Sequence, residues 1–298
     1  MSLTTERSST TAGGPAPEVA ALPRARFAEL LGLAALHPAS LAEIDAAAAL
    51  QHRVDRKYLV PAPSAARLMS ELAATHHVLD IGGRRSTAYR STYFDTPDLA
   101  AWRAHMQGRR RRWKVRTRLY SEDGLCRMEV KTKDGRGATV KHAHTIGAHA
   151  YGRLDNGTEA AAFVDGVLRD NGISVTASDL APAGEIRYLR AALADLSGGT
   201  RITLDGLLTC HREGRTAELD PGYVLVETKG TARPALADRL LLGLGSRPVS
   251  ISKYIVGVSL LVEGLPDNNV RRIARTRFRT GPRTTPVPAA RIGRNTPA

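Results

Sequence analysis

The stretch RRRRWKVRTRLY, residues 109–120, places seven basic residues in twelve positions. From Arg112 onward the cations fall at every second place: Arg112, Lys114, Arg116 and Arg118. Trp113, Val115, Thr117 and Leu119 stand between them. A period of two is the period of a β-strand, whose side chains alternate between faces. This segment is therefore read as a strand with four cations on one face and a packing face behind.

The same alternation recurs along the chain. HRVDRKYLV (52–60), TAYRSTYFD (87–95), LCRMEVKTK (125–133), IRYLRAAL (186–193), RITLDGLLTC (201–210) and YVLVETKG (223–230) read as further strands. SEDG (121–124) reads as the hairpin turn joining two of them. Each charged face contains Lys or Arg: Arg53, Asp55 and Lys57; Arg127, Glu129, Lys131 and Lys133; Tyr188 and Arg190; Arg201 and Asp205; Glu227 and Lys229. A solvated sheet face is the ordinary account of any one such strand. As a set, the faces are unusually cationic. Many cations confined together repel and are costly to desolvate, so they call for an anion. A sheet of about eight strands can close around one small ligand, and a linear phosphate chain matches a row of Arg forks and Lys ammoniums.

Helices are expected at 64–77 with Ser64 as cap, 96–106 with Thr96 as cap and Pro97 first, 158–170, and 233–245. Asp95 is read as an aid to capping the helix after it. His142 and His144 are placed in a polar loop, and the nine histidines give no metal-ligand spacing. The pattern predicts one α+β domain, an eight-stranded antiparallel β-barrel with flanking helices, over 23–266. Residues 1–22 read as a disordered leader and 267–298 as a disordered Arg-rich tail.

The 298 residues carry 43 Lys+Arg against 29 Asp+Glu, a formal charge of +14. That sign favours anionic partners: nucleic acid, membrane surface or phosphorylated molecules. The excess of Arg over Lys also suits a GC-rich bacterial genome and is not by itself evidence of function. Two cysteines exclude a disulfide framework. The absence of a signal core or an apolar run of spanning length leads to the expectation of a cytoplasmic protein. Aromatics at 5% and the lack of a helix-turn-helix, zinc-finger or RNP pattern argue against DNA-specific binding. The tail is expected to bind polyanions non-specifically.

DRKYLV, STYFDT, RWKVRTR, MEVKTK, RYLRAAL, RITLD, VLVETKG and SISKYIVG, in that order over residues 50–262, resemble the polyphosphate polymerase domain of the vacuolar transporter chaperone (VTC) family, part of the triphosphate tunnel superfamily that includes the CYTH group. The resemblance implies a barrel with a basic tunnel, ATP and inorganic polyphosphate as partners, and a divalent cofactor, manganese or magnesium. By this likeness Lys57, Arg116, Arg118, Lys131, Tyr188, Arg190, Arg201, Ser252 and Lys253 bind phosphate. Arg116, Arg118, Lys131, Arg190 and Arg201 act on the transferring group, and Glu227 binds metal. Tyr188 has an alternative role as a packing residue of the wall. Ser250 stands where the family often has a further lysine. The hydrolytic relatives carry Glu-x-Glu-x-Lys in the first strand, and here it is Arg53-x-Asp55-x-Lys57, which favours transfer over hydrolysis.

Three function classes follow: a polyphosphate polymerase; a tunnel-fold triphosphatase or other triphosphate-processing enzyme; and a non-catalytic binder of polyphosphate or nucleic acid. The sequence leaves open the acceptor, the product length and any membrane-protein partner.

Overall fold

A computed structural model describes residues 17–47, 54–135, 138–266, 268 and 270–282. The strands in chain order are β1 (His37–Ala39), β2 (Val54–Pro61), β3 (His77–Leu79), β4 (Thr87–Asp95), β5 (Arg112–Tyr120), β6 (Leu125–Lys133), β7 (Thr139–Ile146), β8 (Ala181–Asp195), β9 (Thr200–Arg212), β10 (Arg215–Leu219), β11 (Tyr223–Gly230) and β12 (Phe278–Pro282). The helices are α1 (Pro17–Leu30), α2 (Leu41–Ala47), α3 (Ala62–Leu72), α4 (Ala100–Met106), α5 (Glu159–Asp170), α6 (Leu236–Gly243), α7 (Lys253–Leu261) and α8 (Arg271–Arg277). The class is α+β, as the sequence predicts. No helix among the described residues is long and apolar enough to cross a membrane.

Eight strands form an antiparallel path, β2-β11-β9-β8-β4-β5-β6-β7. The remaining four extend the sheet to twelve strands. Strand β9 changes partner along its length. Its first half pairs with β11 and its last residues with β10. Leu207 lies at the changeover with φ 51, a left-handed conformation that is strained for a branched side chain.

The expected barrel closure needs correction. Among the described residues, the outer strands of the path, β2 and β7, are not paired with each other, so the sheet stays open. It is nevertheless strongly curled. Lys57 of β2 acts electrostatically on Lys114 of β5 and Lys131 of β6, near the far end of the path. Such coupling requires the two ends to approach across a concave face.

Apolar residues cover the convex side. Val60, Leu189, Leu193, Leu204 and Val226 pack with α1, α3 and α6. Trp113, Val115, Met128 and Val130 pack with Val164 and Leu168 of α5. One end of the charged strand faces is itself apolar: Ile186, Tyr188 and Leu225 meet Tyr254, Ile255 and Val258 of α7 and Trp102 of α4. Helix α7 therefore seals one end of the concavity, and its first residue, Lys253, points into the charged remainder.

Asp95 does anchor the next helix. Its carboxylate accepts the backbone N–H of Ala101 at 2.9 Å and of Trp102 at 3.0 Å, and the Tyr254 hydroxyl at 2.5 Å. That helix starts at Ala100 rather than residue 96, after a turn in which Thr96 Oγ1 accepts the Ala100 N–H at 2.9 Å. His142 and His144 do not occupy a loop; they lie in β7, paired with Val130 and Met128. Parts of the expected disordered termini are also ordered. Residues 271–282 form α8 and β12, and β12 pairs with β10. Val270, Ala274 and Phe278 are buried there. Residues 17–22 begin α1. Residues 1–16 and 283–298 lie outside the described residues.

Candidate phosphate-binding site

The face that opened the sequence reading is concave and charged. Strand register sets Arg116 opposite Glu129, Arg118 opposite Arg127, and Lys114 opposite Lys131. Lys141 of β7 lies beside Lys131. Glu129, only 2% exposed, ties this group together. It accepts from Arg116 Nε at 2.7 Å, and pairs with Arg118 at 3.8 Å and Lys141 at 2.6 Å. Burial alone would raise its pKa; Arg116, Arg118 and Lys141 outweigh burial and hold it well below the usual carboxylate range. Arg116 also donates to the Tyr93 hydroxyl at 2.6 Å. Arg118 donates to Ser91 at 3.4 Å.

A second knot sits on β8 and β9. Arg190 makes a two-pronged pair with Asp205, at 2.6 and 2.7 Å. Lys253 reaches the same carboxylate at 2.5 Å. Asp205 is fully buried. Burial opposes its ionisation, and the two cations more than reverse that effect, so it stays ionised. Tyr188 stacks on Tyr89, with ring centroids 5.2 Å apart. Arg190 lies over both rings and Lys253 over Tyr188, at 4.8 Å. Tyr188 thus packs in the wall, as one sequence reading had it, and at the same time carries two cations on its faces.

Glu227 lies opposite Lys57 on β2 and Thr203 on β9. Lys57 Nζ is 3.8 Å from its carboxylate. Burial pushes the Glu227 pKa up, but Lys229, Lys57, Lys253 and Arg190 bring it down to about 2. Ser252 accepts a hydrogen bond from Lys114 Nζ at 2.8 Å. Lys131 stays open to solvent, yet the surrounding protein lowers its pKa against the opposing pull of Asp55 and Glu227. Lys57, Arg116, Arg118, Lys131, Tyr188, Arg190, Glu227, Ser252 and Lys253 thus share one concave face. Arg201 lies on the same side of β9 as Asp205, opposite Lys229 of β11 and two residues from Thr203, the partner of Glu227, and its guanidinium pairs with Asp45 of α2 at 3.3 Å.

Among the described residues, no three or more His, Cys, Asp or Glu side chains are grouped as a metal site. Glu227 is one carboxylate among cations. A divalent ion here would need phosphate oxygens to supply most of its ligands.

Alternation places Glu129, Asp205 and Lys114 on charged faces but assigns them no role. Their partners come from neighbouring strands, and register is not written in a single strand's alternation. Lys141 was missed together with β7, an edge strand polar on both faces.

No curated protein sequence matches the chain. Solved structures overlap it partially. A putative adenylyl cyclase from Hippeastrum, described as having a dominant triphosphatase activity, has 19% identity and a TM-score of 0.44, covering 70% of this chain and 96% of its own. A Pyrococcus horikoshii protein has 10% identity and a TM-score of 0.32, covering 65% and 88%. A conserved hypothetical protein of Pyrococcus furiosus has 11% identity and a TM-score of 0.28, covering 65% and 88%. Overlaps this partial say nothing about the chemistry of this chain. Residues 52–262, by contrast, match the family model of the VTC domain, which spans the whole cationic face from Lys57 to Lys253, and the chain belongs to that family.

Proposed function

We propose that the protein is a polyphosphate polymerase that transfers the γ-phosphate of ATP to a growing polyphosphate chain, with a divalent metal, manganese or magnesium, as cofactor. Membership of the VTC family supports an enzyme that processes triphosphates. The observation that carries the finer reading is the excess of cations over carboxylates on one concave face. Two of the acids, Glu129 and Asp205, are already committed to holding cations in place. Few acids remain to orient a hydrolytic water.

In this reading Arg116, Arg118 and Arg190 hold the phosphate oxygens. Their guanidiniums are fixed by Glu129, Tyr93 and Asp205, so little reorganisation is needed as charge develops. Lys57, Lys131 and Lys253 add point charges along the same face. A terminal oxygen of the acceptor chain attacks the γ-phosphorus, the bond to the β-phosphate oxygen breaks, and ADP leaves. Phosphoryl transfer asks the protein chiefly for alignment and neutralisation. Glu227 would hold the metal, which supplies charge neutralisation between phosphates. Tyr188 would hydrogen-bond a phosphate oxygen in this reading. Arg201, on the same face and paired with Asp45, adds a further guanidinium along β9.

Incubating the full chain with ATP and manganese, then staining a gel for polyphosphate and assaying free phosphate, tests this reading. Polymer formed together with ADP is the expected result. Free phosphate without polymer would identify a triphosphatase. Binding with no turnover would identify a non-catalytic binder.

A further inference from the structure

We propose that Lys114 is an additional phosphate ligand of this concavity and that anion binding there takes up a proton. The inference rests on the reading of the concavity as a phosphate site.

Lys114 differs from the other cations in the company it keeps. Arg116, Arg118 and Lys141 share Glu129, Arg190 and Lys253 share Asp205, and Lys57 faces Glu227. The contact recorded for the Lys114 ammonium is neutral, the Ser252 hydroxyl at 2.8 Å. Lys131 stands opposite it on β6, Arg112 and Arg116 flank it two positions away on its own strand, and Lys57 of β2 also acts on it. His105 of α4 faces the same group and is held neutral, its pKa brought down to about 3 by burial and by Lys114, Arg112, Lys57 and Lys133. Asp55 and Glu227 pull on Lys131, and neither is among the largest influences on Lys114. A half-buried ammonium whose hydrogen-bond partner is a neutral hydroxyl is costly. It can lose its proton, or an anion can enter and stabilise the charged form.

Burial and these like charges bring the Lys114 pKa down to about 7. The free protein near neutral pH is then a mixture of amine and ammonium. A phosphate oxygen beside Lys114 would raise its pKa, so binding consumes a proton wherever the amine form dominates. The sign follows. Affinity is highest below neutrality, where the group is already charged, and falls as pH rises through that region, by up to about tenfold per pH unit while one proton is linked.

Calorimetric titration of the full chain with tripolyphosphate, in buffers of different ionisation enthalpy at about pH 8, measures this uptake. The ligand's own titration is common to all variants, so differences between variants isolate the side chain. Wild type is expected to take up most of one proton more than Lys114→Arg, which stays charged throughout. Lys114→Arg should still bind, with a flatter pH profile. Lys114→Met should bind about tenfold or more weakly below neutrality, the usual loss for a hydrogen bond to a charged group. Equal proton counts in wild type and Lys114→Arg, with binding intact, would overturn the proposal and leave the functional reading standing. Lys114→Met binding as tightly as wild type would do the same. Absence of tripolyphosphate binding by wild type would overturn both.

Discussion

Glu129 and Asp205 are buried and each holds more than one cation. Removing one charge from such a group leaves uncompensated partners in a partly dry cavity. Glu129→Gln is therefore expected to cost about 3–5 kcal/mol of stability, the range for breaking a buried ion pair. Urea unfolding at neutral pH measures it, and a loss below about 1 kcal/mol would show the cations to be well hydrated. The pH dependence has a definite sign. Glu129, Asp205 and Glu227 have depressed folded-state pKa values. Their contribution is fully present above the unfolded carboxylate range of about 4 and is lost as pH falls below it. Glu227→Gln asks a different question, because Glu227 holds no guanidinium. The fold and anion binding should survive while turnover falls by about 100-fold or more. Arg116→Ala should weaken both triphosphate binding and turnover. Near-normal metal-dependent turnover in Glu227→Gln would remove Glu227 from the metal role.

Helix α7 brings two site residues, Ser252 and Lys253, to the concave face, and its position depends on one close contact. A Cβ on Gly257 would lie 2.9 Å from Cys210 Sγ and 3.0 Å from Cys210 Cβ. Gly257→Ala should therefore displace the helix, at about 1–3 kcal/mol for overpacking, and lower turnover by moving Lys253 off Asp205. Stability and kinetics measured on one preparation check this; unchanged values for both would mean that α7 is not the register-setting element. Strands β5 and β6 are legible because their charged and apolar positions largely alternate, and β4 is legible from its β-rich composition, although its burial does not alternate. Helix α7, by contrast, leaves no legible mark in the sequence. The segment KYIVGVSLL is apolar almost throughout, so it shows no amphipathic period to mark a helix. Strand β12 was read as tail because its RFRTGP run is basic; its order comes from pairing with β10 and from buried Phe278, both long-range facts.

At the scale of the whole molecule, the order of α8 and β12 revises where the chain can be shortened. Removing 268–298 would strip β12 from β10 and expose Val270, Ala274 and Phe278. Removing only 283–298 deletes Arg283, Arg291 and Arg294 and none of the site residues. That shorter truncation should keep ATP turnover and lose only part of the salt-dependent binding to long polyanions. Loss of turnover in a folded protein of this length would assign the terminal segment a part in the site. The charged concave face itself was foreseen from alternation alone. The open edge between β2 and β7 was not, because closure depends on strand pairing at the two ends of the path. Neither strand's own sequence reports that pairing.

One anion site and a solvated charged surface differ in what stabilises the fold. A ligand that binds only the folded state raises its melting temperature by mass action. Thermal unfolding with tripolyphosphate, against chloride at equal ionic strength, compares wild type with Arg116→Ala and with Arg67→Ala. Arg67 is an exposed residue of α3 paired only loosely with Glu71 at 3.9 Å. If the cations form one site, tripolyphosphate should give a clear rise in wild type and in Arg67→Ala and a much smaller one in Arg116→Ala, and chloride should give little in any of them. Equal shifts in all three proteins, or equal shifts from the two salts, would contradict a single anion site.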